Sequence, residues 1–181
     1  AIETFQNTSM KIRYSNVPIV VAPHGLTLGG GCEFTLHADS VQCAAETYMG
    51  LVELGVGLIP GGGGTKEMAL RASDLYYKGD IELPRLKDYF LNIGQAKVAT
   101  SAYEAYDLGY LQKGKDNITI NSNKLIEDAK QKVLFLDNLG YRKPLKRKNI
   151  KVLGKEGMGM FLVGVDSFRE GNYITKHEQL M

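Results

Sequence analysis

The chain has 181 residues, of which 44% are hydrophobic and 23% are charged, and its net charge is +2. This composition is ordinary for a globular domain, and the length permits a hydrophobic core without disulfides or a structural metal. The small net charge gives no indication of a nucleic-acid partner, and no apolar run is long enough to predict a membrane span.

Cysteines and histidines are too few and too scattered for a disulfide framework or a metal site. Cys32 and Cys43 lack the spacing of zinc ligands, and His24, His37 and His177 lie far apart along the chain. We therefore predict no metal ligands and assign no chemistry to the histidines. A sequence without an N-terminal signal peptide or a disulfide pattern favours a reducing, cytoplasmic setting.

The first part of the chain predicts a strand–helix–strand unit. Residues 1–16 resemble the end of a helix that enters a strand, and the β-branched run Val17–Pro23 predicts a buried strand. Glycines 29–31 lead into a short helix over 32–39, and Val41–Ala45 predicts a second buried strand. Because the connection is short and helical, the two strands are expected to be parallel, as in a βαβ unit.

The rest of the chain is predicted to be mainly helical. Ser101, followed by Glu104 three residues later, is typical of a capping box, and Asn117–Ile120 predicts a short strand. The basic run Tyr141–Lys151 is interpreted as a solvated loop, with a phosphate-binding surface as the alternative. One helix is predicted to begin at Gly64 or Thr65. Further helices are predicted over Leu83–Ile93, Ser101–Leu108, Asn121–Leu139 and Met158–Phe168.

The glycine-rich segments do not match the common nucleotide-binding loops. A P-loop fails at Gly64, because Lys66 comes one position too late. The dinucleotide motif Gly-x-Gly-x-x-Gly fails after glycines 29–31, where Glu33 or Phe34 replaces its third glycine. It fails again after Gly157, where Leu162 replaces that glycine. We therefore expect no nucleotide cofactor to be bound by this chain.

Two glutamates stand beside the glycine-rich runs. Glu33 follows the glycine triplet, and Glu53 lies twenty positions later, shortly before the turn Ile59-Pro60-Gly61. Two carboxylates can divide acid and base work on one substrate when their environments separate their pKa values. Glycines let a backbone N–H group approach developing negative charge closely. This combination is suited to forming and protonating an enolate.

Residues 21–71 closely resemble the crotonase superfamily, which has the enoyl-CoA hydratase and isomerase fold. The chain keeps the glycine triplet, both carboxylates, the spacing between them and the Pro60-Gly61 turn, and its segment Ser101–Lys113 matches a later family segment. It departs from the pattern at His24, where the family usually has asparagine, and at Val52, where proline often precedes the second glutamate. The resemblance is strong over 17–113 and weaker beyond.

The resemblance implies an α/β, crotonase-like (ββα-repeat) fold that is N-terminally truncated, with a core over 1–115 and a mainly helical C-terminal extension over 116–181. It also implies roles for four residues. The Gly30 N–H would face the thioester oxygen, Glu33 would deprotonate the water that adds at C3, Glu53 would protonate C2, and the Gly61 N–H would lie near that water. Cys32 is interpreted as a small core residue.

The weaker match over 116–181 is to the C-terminal extension of bacterial multifunctional fatty-acid oxidation proteins. This match implies a longer polypeptide, whose upstream segments would supply a second oxyanion donor. The crotonase resemblance implies an acyl-CoA substrate and a homo-oligomer. A 3-hydroxyacyl-CoA dehydrogenase part that uses NAD would lie outside this chain. The resemblance thus implies the enoyl-CoA hydratase part of a fatty-acid β-oxidation protein, which adds water to trans-2-enoyl-CoA to give 3-hydroxyacyl-CoA. Two alternatives stay open, an enoyl-CoA isomerase and a non-catalytic packing or oligomerisation module.

Overall fold

The computed structural model describes residues 1–77, 79, 81 and 83–181. Its helices are α1 (Ile2–Arg13), α2 (Gly30–Leu36), α3 (Gly64–Asp74), α4 (Leu83–Gly94), α5 (Ala102–Asp107), α6 (Leu125–Asn138), α7 (Gly154–Glu170) and α8 (Lys176–Leu180). Its strands are β1 (Val20–Val21), β2 (Leu26–Leu28), β3 (Ser40–Ala44), β4 (Tyr48–Gly50) and β5 (Asn117–Thr119), and short 3-10 turns cover Glu53–Val56 and Ser122–Lys124.

The strands form two small parallel sheets. β3 lies between β1 and β5, and every residue of β3 is buried, as is typical of a central parallel strand. The predicted βαβ unit of β1, α2 and β3 is confirmed. Its first strand is shorter than predicted, because Pro18 and Pro23 flank it and cannot donate to a ladder.

The second sheet was not predicted from the sequence. It pairs β2 with β4, so that the strand before the glycine triplet runs beside the strand before Glu53. Gly29 N–H continues this pairing with a 2.9 Å hydrogen bond to the carbonyl of Gly50. The pairing therefore brings the two segments that carry the carboxylates to the same end of one sheet.

The helix caps are partly as predicted. Ser101 Oγ accepts from the N–H of Glu104, but the Glu104 carboxylate accepts from Thr100 instead of returning to Ser101. Asn121 caps the 3-10 turn, and α6 begins only at Leu125. Ser101 and Asn121 were thus identified correctly as capping residues, but the capping box is incomplete and α6 begins later than predicted.

The core forms where α2, α3 and α5 meet β3 and β4. The residues Leu36, Met49, Leu51, Met68 and Tyr110 are all less than 2% exposed. The C-terminal region is helical, as predicted, through α6, α7 and α8. β5, at 117–119, lies within the predicted extension yet pairs with β3 of the core, and the proposed division at residue 115 remains a prediction.

The basic segment 141–151 has no regular secondary structure and lies against the ends of α2 and α3. Tyr141 donates a hydrogen bond to Asp39, and Arg147 forms a 2.6 Å ion pair with Asp74. These contacts fit the predicted surface loop. Within the described residues, no helix combines the length and the apolar character that crossing a membrane requires.

Candidate active site

Glu33 lies in the first turn of α2 and is 2% exposed. Its Oε1 accepts a 2.8 Å hydrogen bond from the N–H of Gly64, the first residue of α3. Burial raises the pKa of the carboxyl above its ordinary value, and the N–H groups of Gly64, Gly62 and Gly63 oppose that rise. The glycine turn and the start of α3 thus fix the carboxylate and stabilise its ionised form.

Glu53 begins the 3-10 turn that follows β4. Its Oε2 is buried and accepts no hydrogen bond from the part of the chain that the structure describes. Its Oε1 lies against Gly29, 3.4 Å from where a Cβ on that glycine would stand. Burial raises the pKa of Glu53, and the negative charge of Glu33 raises it further. Glu33 therefore lies close enough for its charge to act on Glu53.

Gly30 is the first residue of α2, so its N–H has no partner within the helix. The ring of Phe5 in α1 stands beside it, with Cζ 3.1 Å from the position of a Cβ on Gly30. The same ring packs on Phe34 with 4.4 Å between centroids, and against Gly62. Phe5 therefore lies between the two glycine segments, next to Glu33.

Gly61 contacts α1 through Gln6 and Ile2. Its carbonyl accepts a 2.8 Å hydrogen bond from Gln6, and the side chain of Ile2 occupies the space where a Cβ would be. The neighbours Gly62 and Gly64 are the glycines that contact the Glu33 carboxylate. That the N–H of Gly61 lies near the catalytic water stays a prediction.

Sequence reasoning missed three contributors to this site. The Gly64 N–H carried a signal, because it opens a helix after a glycine run and such positions bind anions. His37 carried a weaker signal, as it lies one helical turn after Glu33. Phe5 carried none, because only the packing of α1 brings it to the glycines.

The thiol of Cys32, next to Glu33, is buried, and burial raises its pKa, in keeping with a core residue rather than a nucleophile. Among the described residues, no three histidine, cysteine or acidic side chains are grouped so that they could hold a metal ion. The site offers two carboxyls for acid–base chemistry, a buried one on Glu33 and a partly buried one on Glu53, beside the N–H of a helix start.

Comparison with known proteins identifies the family. Residues 1–73 match the family profile described as enoyl-CoA hydratase/isomerase. A Bacillus subtilis (strain 168) protein named probable 3-hydroxyacyl-CoA dehydrogenase is 44% identical over 177 residues, which is 98% of this chain and 22% of that protein. The chain belongs to the crotonase superfamily.

Two further proteins, one a sequence relative and one a solved structure, are similar to this crotonase-superfamily chain. The fatty acid oxidation complex subunit alpha of Vibrio parahaemolyticus is 31% identical over 148 residues, which is 76% of this chain and 20% of that subunit. The enoyl-CoA hydratase structure from Bacillus anthracis has a TM-score of 0.59 at 21% identity, covering 99% of this chain and 56% of that one, which shows the shared fold. The chain spans about a fifth of the length of these two curated relatives.

Proposed function

We propose that this chain carries the catalytic carboxylates of an enoyl-CoA hydratase, which adds water to trans-2-enoyl-CoA and gives 3-hydroxyacyl-CoA. The observation that supports it most is the contrast between the two glutamates. Glu33 is held by the Gly64 N–H, while Glu53 Oε2 is buried without a partner. A buried polar atom left without a hydrogen bond is costly, and such atoms are typical of sites that bind a substrate or a water molecule.

The electrostatics favour a division of roles. The N–H groups at the glycine turn stabilise ionised Glu33, and the charge of Glu33 raises the pKa of Glu53. Burial raises the pKa of both carboxyls, and we propose that Glu33 is the ionised member of the pair and Glu53 the protonated one. Ionised Glu33 then acts as the general base for water, and protonated Glu53 as the general acid.

In this mechanism Glu33 takes a proton from water as its oxygen bonds to C3 of the enoyl thioester. The C2–C3 π electrons move toward the thioester carbonyl, whose oxygen becomes negative and is stabilised by the Gly30 N–H. The enolate then collapses and C2 takes the proton of Glu53. A single oxyanion donor of this kind typically contributes a factor of about 10²–10³ in rate.

We further propose, from the names and lengths of the relatives, that the chain is part of a longer fatty-acid oxidation polypeptide. In that setting the substrate is an acyl-CoA thioester, and a 3-hydroxyacyl-CoA dehydrogenase part that uses NAD lies elsewhere, so this chain itself binds no cofactor. We also propose a cytoplasmic setting, from the lack of a disulfide pattern, and a homo-oligomer, from the family resemblance. The size of the oligomer can be measured by light scattering.

The test is hydration of crotonyl-CoA by the complete polypeptide that carries residues 1–181. Glu33→Gln and Glu53→Gln should each lower kcat by about 100-fold or more, because each removes a general acid or base. KM should change little, since neither carboxylate is needed to grip CoA. Glu127→Gln is the matched control, since this glutamate lies on the exposed side of α6, paired with Lys124.

Two outcomes would replace the proposal. Hydratase activity that survives Glu33→Gln, together with strong double-bond isomerisation of 3-enoyl-CoA, would indicate the isomerase. Absence of both activities in the unmodified complete polypeptide would favour the packing or oligomerisation module.

A further inference from the structure

Side chains bind part of the end of α2 opposite its glycine triplet. The helix stops at Leu36. Backbone N–H groups bind the carbonyls of Phe34 and Thr35, whereas the carbonyls of Glu33 and Leu36 contact side chains. His37 Nδ1 lies 2.6 Å from the Glu33 carbonyl, and Arg13 donates to the Leu36 carbonyl at 2.8 Å. A carbonyl can only accept, so Nδ1 is the protonated ring nitrogen of His37.

The opposite edge of the His37 imidazole supports the glycine turn. Its Cε1 and Nε2 both lie 3.0 Å from where a Cβ on Gly63 would stand, and Gly63 has a φ of +112°. Gly63 immediately precedes Gly64, whose N–H binds Glu33. One fully buried ring thus contacts both the backbone of Glu33 and the turn that holds the Glu33 carboxylate.

Glu67 lies in the first turn of α3, next to the same glycine turn. Its Oε1 accepts from Lys66 at 2.6 Å and lies 3.5 Å from His37 Nε2, while its Oε2 is paired with Arg13. The Glu67 N–H also binds the Gly63 carbonyl at 3.0 Å. Burial raises the pKa of Glu67, but Arg13 and Lys66 outweigh it and keep the pKa below its ordinary value. An ionised Glu67 therefore joins α3 to Arg13 of α1, and Arg13 in turn donates to the Leu36 carbonyl at the end of α2.

We propose that His37 and Glu67 are positioning residues, which together hold the 61–64 turn where the Gly64 N–H can bind the Glu33 carboxylate. Neither residue is assigned contact with the substrate. The inference rests on the proposed role of Glu33, but the geometry that it predicts can be measured without turnover.

The experiment compares His37→Leu and Glu67→Gln with Ser40→Ala in the complete polypeptide. Ser40 is a suitable control because it is equally buried and donates a 2.6 Å hydrogen bond to a backbone carbonyl, that of Lys115, away from the turn. Hydrogen exchange of the Gly64 amide, the pKa of Glu33 by carbon NMR and the pH dependence of kcat are measured for each protein.

Both positioning variants should exchange the Gly64 amide about 10-fold faster than the control does, because the turn opens more often. The pKa of Glu33 should rise by about one unit as its charge-assisted hydrogen bond weakens. The acid limb of the kcat profile should move with it, while KM stays within about twofold. His37→Asn, which keeps a donor near the Nδ1 position, should recover part of kcat.

Exchange rates and a Glu33 pKa equal to those of Ser40→Ala in both variants would overturn the inference, even if the variants are less stable. If His37→Leu does not fold, the isosteric Glu67→Gln decides the question alone. If the unmodified protein does not hydrate crotonyl-CoA, the proposed function fails while the exchange and pKa measurements still test the positioning role.

Discussion

A methyl group added at Gly62 has no space in this structure. An ideal Cβ there would lie inside the ring of Phe5 and 2.5 Å from Glu33 Oε2, whereas ordinary contact begins near 3.4 Å. Neither neighbour is free to move, because Phe5 packs on Phe34 and Glu33 is hydrogen-bonded to Gly64. Gly62 is not among the glycines with positive φ, so the cost of Gly62→Ala comes from crowding and not from backbone strain.

Overpacking of this kind costs about 1–3 kcal/mol of unfolding free energy. It is partly offset by the gain of about 0.4–1 kcal/mol that replacing glycine by alanine brings through the unfolded state. We therefore expect Gly62→Ala to destabilise the protein by about 1–2 kcal/mol and to lower hydratase kcat, since the carboxylate of Glu33 is displaced. Gly159→Ala in α7 is the control, because no atom lies within 4 Å of a Cβ there.

Urea unfolding of the single variants and of the double variant Phe5→Ala/Gly62→Ala measures the coupling between the two sites. Removing the ring should relieve most of the crowding, so Gly62→Ala should cost at least about 1 kcal/mol less in the Phe5→Ala background. An equal cost in both backgrounds, or a gain like that of Gly159→Ala, would refute the placement of Phe5 between the glycine segments.

Three further measurements test the electrostatics and the extent of the site. The folded-state pKa values of Glu33 and Glu53 are raised, so the unfolding free energy should fall as pH rises from about 4.5 through those values, and Glu53→Gln should reduce that fall in urea titrations. Glu67 should change the unfolding free energy in the opposite direction, because its lowered pKa gives stability above pH 4.5 that is lost on acidification. A Glu67→Gln protein whose unfolding free energy falls on acidification as much as that of the unmodified protein would contradict this. The isolated 181-residue chain should hydrate crotonyl-CoA at a negligible rate, because the family resemblance assigns a second oxyanion donor to an upstream segment, and turnover equal to that of the complete polypeptide would disprove it. It should also self-associate, because the resemblance assigns upstream strands that would otherwise cover a sheet edge or an apolar face.

The family and most helices and strands of this protein could be predicted from its sequence. The glycine triplet and the two glutamates identified the family, and hydrophobic runs with helix caps located most elements, because each depends on residues within a few positions of one another. The carboxylates could be singled out for the same reason, since each stands directly beside a glycine-rich turn.

Only the tertiary structure decided how the site is assembled. The pairing of β2 with β4, the Gly64 N–H on Glu33, and the Phe5 ring between the glycine segments all join residues far apart in the chain. His37 shows the same limit, because its spacing from Glu33 is local, but its second contact is with the turn before α3. Sequence periodicity specifies which face of a helix is apolar, whereas the packing of α1, α2 and α3 determines which atoms meet across those faces.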